Sequence, residues 1–109
     1  MPTCRLIAVI LVGFTLASAA AAEDPGVALG VGDSGFSPAE VKVPARSRVR
    51  LEVTNRSTAA IEFESFELNR ERVVQPGQTV SVYVSGLEPG RYEFFDDFHQ
   101  ERRGVLVVE

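Results

Sequence analysis

"TVSVYVSGLEPGRYEFF", Thr79 to Phe95, decides the architecture of this chain. Val80, Val82 and Val84 alternate with polar residues, the period of a strand with one buried face. "LEPG" supplies a turn, and "RYEFF" follows as a second run with Tyr92 and Phe94 on the inward side. The same pattern extends upstream. "RVRLEVTN" sets Val49, Leu51 and Val53 on one face and Arg48, Arg50, Glu52 and Thr54 on the other. "AIEFESFEL" sets Ile61 and Phe63 against Glu62 and Glu64, and "RERVVQPG" ends in a Pro-Gly turn. "FSPAEVKVPA" carries proline at both ends of a short strand, Glu40 to Val43, which suits an edge. "GVALGVGD" reads as a glycine-weakened first strand and "GVLVVE" as the last. No segment has sustained helical periodicity. Seven to eight strands spaced by roughly 8–12 residues predict an all-β antiparallel sandwich or barrel. One apolar face per strand is what a two-sheet sandwich needs.

The amino end reads differently. Arg5, the uncharged run "LIAVILVGFTL" and the small residues of "ASAAAAED" have the order of a cleaved signal peptide. Cleavage after Ala22 or Ala19 is expected, leaving residues 23–109 as one domain, exported to the periplasm and not inserted in the membrane. Cys4 lies before the apolar run, whereas a lipidated cysteine would follow it. Its loss leaves a domain without disulfide or thiolate ligand. Removing Arg5 takes the eleven basic side chains to ten, against fifteen acidic ones. Such a balance excludes a nucleic-acid-binding surface.

One stretch concentrates chemistry. "FFDDFHQERRG" holds the only histidine, His99, with Asp96, Asp97 and Glu101 nearby. Continuing the alternation from Tyr92 and Phe94 turns Asp96 inward as its strand ends. A buried carboxylate requires a partner, and both a cation and a folded-back Arg102 or Arg103 qualify. The stretch is therefore either a metal site or a polar loop between strands. Carboxylates with one histidine suit Cu(II), Fe, Mn or Zn, not soft Cu(I). Nucleophilic catalysis would need a hydroxyl beside His99, and nothing places Ser65 or Ser85 there. No glycine-rich phosphate loop is present.

From Phe36 to Glu109, "FSPAEVKVPARSRVRLEVTN", "VVQPGQTVSVYVSGLEPGRYEFF", a histidine and "GVLVVE" resemble a cupredoxin domain. The resemblance implies a Greek-key β-sandwich with metal held at one end by loops. Arg46 stands where that family often has glycine. The blue-copper ligand pattern is largely absent: its first histidine falls near Ile61, its cysteine at Asp96 and its methionine near Arg102, and only His99 matches. "IEFESFELNRERVVQPG" and "FFDDFH" further resemble the small periplasmic cupredoxin-like proteins that accompany bacterial high-affinity ferrous iron permeases. That resemblance implies a copper or iron ion bound by His99, Asp96, Glu64 and Asp97, with Glu62 and Glu67 in reserve. It also implies a partner, an iron permease or a periplasmic iron-binding protein. A non-enzymatic metal-binding accessory of iron uptake is the expected function. A ferroxidase and a metal-free interaction module are the alternatives.

Overall fold

A computed structural model describes residues 3, 8–13 and 26–109. The leader assigned to residues 1–22, with Cys4, falls outside the described residues except at 3 and 8–13. No described helix is long and apolar enough to cross a membrane.

Nine strands follow in order: β1 Gly26–Gly32, β2 Gly35–Ser37, β3 Glu40–Val43, β4 Arg48–Asn55, β5 Ile61–Ser65, β6 Arg70–Val74, β7 Thr79–Ser85, β8 Gly90–Asp96 and β9 His99–Val108. They form a four-stranded sheet, β2-β1-β4-β7, and a five-stranded sheet, β3-β9-β8-β5-β6. The all-β sandwich is as expected, with β3 at an edge. Three details differ from the sequence reading. A short strand, β2, hairpins onto β1. The pairing is not wholly antiparallel, because β1 runs parallel to β4 and β3 parallel to β9. The chain visits the other sheet between β1 and β4 and again between β3 and β9, which lets each pair run side by side in the same direction.

The third difference matters most for function. "DDFHQERRG" is not a loop: β8 runs to Asp96, β9 starts at His99, and Asp97-Phe98 alone makes the turn. Phe95 pairs with Arg103 but Asp96 pairs with His99, so the residues between His99 and Arg103 form a bulge. A bulge of this kind re-aims side chains where a ladder would otherwise fix them.

Alternation fills the space between the sheets. Leu29, Val31, Leu51 and Val53 meet Ile61, Phe63, Phe94 and Leu106, all at most 1% exposed. Phe36 stands edge-on to Phe94 at 4.9 Å between centroids, and Phe63 lies 5.4 Å from Phe94. Gly104 makes room for this cluster, since a Cβ there would lie 2.4 Å from the Phe94 ring. Asn55 closes the end of β4. Its amide donates to the Ala59 and Val74 carbonyls, and its Oδ1 accepts from the Ser57 N–H and hydroxyl. Tyr92 donates its hydroxyl to the Glu88 carbonyl at 2.8 Å, fixing the "LEPG" corner.

Candidate metal centre

Strand parity sorts the acidic residues before any chemistry is considered. Phe63 and Asp96 are register partners on the inner face of the five-stranded sheet, while Glu62, Glu64 and Asp97 turn outward. Two separate polar groups result, one on each side of β5 and β8.

The inner group is built on Asp96, which is fully buried. Its Oδ1 accepts from the Glu62 N–H at 3.0 Å and the Phe98 N–H at 3.1 Å. Its Oδ2 meets His99 Nδ1 at 2.7 Å and the Arg102 guanidinium at 3.4 Å. Arg102 is itself 9% exposed, reaches toward Asp33 at 3.8 Å, and leaves its Nε without a partner. A buried carboxylate that keeps its charge needs compensating charge and several hydrogen bonds, and Arg102 and His99 bring cationic and proton-donating capacity. His99 is part-exposed, and its bond to Asp96 leaves Nε2 as its one available nitrogen.

The outer group is a convergence of carboxylates. One oxygen from each of Glu62, Glu64 and Asp97 lies within 4.8 Å of the other two. Glu62 and Glu64 are there because residues two apart on a strand share a face. Asp97 joins them because its N–H bonds the Glu62 carbonyl at 2.9 Å. Glu71, opposite Glu64 on β6, adds a fourth negative charge. The Glu62 carboxyl is pushed up from 4.5 to about 7, first by its hydrogen bond to Glu64, then by desolvation, then by the charges of Glu71, Glu64 and Asp97. Two carboxylates this close share a proton because both cannot ionise cheaply.

The arginines nearby do not neutralise this group. Arg70 and Arg72 reach across the open side of the sandwich to the Tyr83 and Ser81 carbonyls of β7. Arg103 pairs with Glu93 at 3.2 Å and lies over the Phe95 ring. Among the described residues, no ion pair reaches Glu62, Glu64, Glu71 or Asp97. Glu64 and Asp97 are part-exposed, and Asp97 stands on the wall of a groove of about 190 Å³ that also holds Phe66 and Phe95.

Of the four ligands expected from sequence, the structure thus brings Glu64 and Asp97 together and places Asp96 with His99 on the opposite face. Glu62, a reserve candidate, moves to the centre. Glu67 lies apart, accepting from the Glu93 N–H. Parity could have put Glu62 and Glu64 on one outward face, but the β5–β8 register and the Asp97 N–H bond to the Glu62 carbonyl are what bring Asp97 to them.

The two sheets, the strand-ending Asn55 and the hairpin carrying His99 invite comparison with known proteins. Residues 5–108 match the family described as the cupredoxin-like domain. The chain belongs to that family. This cupredoxin-like domain is 37% identical over 83 residues to an uncharacterised protein of Rickettsia prowazekii (strain Madrid E), covering 75% of this chain and 66% of that protein's length. Among solved structures, it resembles the metal-binding domain of the Cu(I)-exporting P-type ATPase of Streptococcus pneumoniae D39, with Cu(I) (TM-score 0.67, 15% identity, 77% of this chain and 84% of that one). It also resembles a purple cupredoxin from Nitrosopumilus maritimus (TM-score 0.60, 17% identity, 76% and 99%). At such identities the likeness speaks to fold.

The copper centre associated with this fold can be tested against the residues present. Residues 26–109 contain neither cysteine nor methionine, so no thiolate or thioether is available to a blue-copper ion. Asp96, which the sequence resemblance sets at the cysteine position, has both oxygens engaged by the protein's own donors. A thiolate copper centre does not fit this cupredoxin-like domain. The outer carboxylates are a different donor set. With metal–oxygen distances of about 2.0–2.6 Å, one hard ion can bridge donors spaced as Glu62, Glu64 and Asp97 are.

Proposed function

We propose that this protein binds a hard metal ion, iron or Cu(II), at Glu62, Glu64 and Asp97, as a periplasmic accessory of ferrous-iron uptake. The observation that carries the reading is the convergence of three carboxylates within 4.8 Å, none of which forms an ion pair among the described residues. Oxygen donors of this kind favour Fe(III) over Fe(II) and suit Cu(II). They offer nothing to Cu(I). The uptake role rests on the likeness of "FES" and "FFDDFH" to proteins that accompany iron permeases. An iron permease or a periplasmic iron-binding protein is the partner that likeness suggests.

Calorimetric titration of metal-free protein with Cu(II) and with chelated Fe(III) tests the binding. Affinity tighter than about micromolar is expected, falling at least tenfold in Glu64→Gln. If wild type binds neither ion that tightly, the proposal is abandoned.

A second reading draws on the inner group. Asp96 is compensated from within the chain by Arg102 and His99, as in a sandwich that has dispensed with metal and serves as an interaction module. The same titration separates the two.

A further inference from the structure

We infer that Asp96 is a positioning residue for the outer metal site and not a ligand of it, an inference that rests on the site proposed above. An ionised carboxylate offers about four acceptor positions, and Asp96 uses all four: the Glu62 and Phe98 amides on Oδ1, His99 and Arg102 on Oδ2. No lone pair is left for an ion.

What those bonds hold in place is the outer cluster. The Glu62 N–H is bound by the side chain of Asp96, and the Glu62 carbonyl is bound by the N–H of Asp97. Two consecutive residues therefore grip one residue of β5 from both of its backbone groups. That grip fixes how far the Asp97 side chain stands from those of Glu62 and Glu64. The Phe98 bond does the same for the turn, holding Asp97-Phe98 against the strand end. Arg102 and His99 anchor the Asp96 carboxylate from the other side, and both arrive there because the β9 bulge turns them inward. In this domain the end of the sandwich is filled by the chain's own cation. Any exogenous ion sits one layer outside it, on the far side of β5 and β8.

Cu(II) serves as the probe, added to the full domain and followed by electron paramagnetic resonance and by affinity. Asp96→Asn keeps the volume but loses the charge that its four donors share and turns an amide donor toward His99 and Arg102, so its hold on the Glu62 and Phe98 amides loosens. Loss of a partner that orients ligands costs about 10–100-fold in metal affinity. A loss in that range is expected, with g values and copper hyperfine splitting unchanged. Arg102→Gln, which touches no outer carboxylate, should show a smaller loss with the same spectrum. Amide exchange in metal-free Asp96→Asn should speed up at Glu62 and Phe98 selectively. A changed copper spectrum in Asp96→Asn makes Asp96 a ligand and overturns the inference, as does wild-type affinity in both variants. If Asp96→Asn does not fold, wild-type affinity in Arg102→Gln alone is sufficient to overturn it. Absence of Cu(II) and Fe(III) binding to wild type is a separate result, which removes the site itself and with it any role for Asp96 toward metal.

Discussion

Glu62 shows how much a single side chain depends on its register partners. In sequence it is one of many strand glutamates, and a solvated face is the ordinary fate of such a residue. Its alternation with Ile61 and Phe63 was readable, as was the opposition of Asp97 to Asp96. The alignment of β5 with β8 was not, because no local rule dictates which residue of one strand meets which of another. That alignment adds Asp97 to a carboxyl already pushed up to about 7, first by its hydrogen bond to Glu64, then by desolvation and the neighbouring charges. The consequence for stability has a definite sign. Between about pH 4.5 and 7 the folded protein holds a proton that the unfolded chain has released, so stability falls as pH rises through this window. The contribution is fully present below pH 4.5 and lost above about 7. Urea denaturation across this range should show that slope in metal-free wild type and a flatter one in Glu62→Gln, which should also be the more stable of the two near neutral pH. A stability that climbs from pH 5 to 7 in wild type and variant alike would contradict the assignment.

Among elements, the β8–β9 hairpin and the end of β4 mark the limits of pattern reading. The strands Arg48–Asn55 and Thr79–Ser85 were legible because their periodicity is clean and their apolar residues are β-branched. "DDFHQERRG" has no apolar period and reads as loop. It is strand because Asp96, His99 and Arg102 satisfy one another, a tertiary interaction that substitutes for hydrophobic burial. Arg46 is another place where local rules yield. It adopts φ of +55° where glycine would be unstrained, and its guanidinium meets Glu88 at 3.3 Å on the surface. Asn55 is the element-level counterpart of Asp96. It links the β4 end to the Ser57–Ala59 turn and to β6, buried at 0% exposure with four bonds. Each buried group left without a partner costs about 1–3 kcal/mol, and Asn55→Ala orphans several. Loss of at least about 2 kcal/mol is expected by chemical denaturation, with the strongest loss of amide protection at Ser57, whose N–H loses its acceptor. A change below about 0.5 kcal/mol would mean that water satisfies the turn equally well.

For the whole molecule, charge is distributed asymmetrically across two sheets that pack through an apolar layer. Arg70 and Arg72 are spent on closing the gap between β6 and β7 through backbone carbonyls. This protects two sheet edges and leaves Glu62, Glu64, Glu71 and Asp97, near β5, without an ion pair among the described residues. Their crowding costs the apo fold some stability through like-charge repulsion, so a bound cation should be worth more here than its contacts alone suggest. An ion that binds only the folded chain stabilises it by about 2.7 kcal/mol at a hundred times its Kd. For a domain of this size about 1 kcal/mol moves the melting temperature by roughly 4–8 °C, so saturating Fe(III) or Cu(II) should raise it by on the order of 10–20 °C. Differential scanning calorimetry at pH 7 tests this. The shift should vanish in Glu64→Gln combined with Asp97→Asn, while the apo melting temperature of that double variant rises above wild type because two of the four crowded charges are gone. A metal-induced shift that survives in the double variant would place the ion elsewhere, and an apo variant less stable than wild type would show that these carboxylates support the fold more than they strain it.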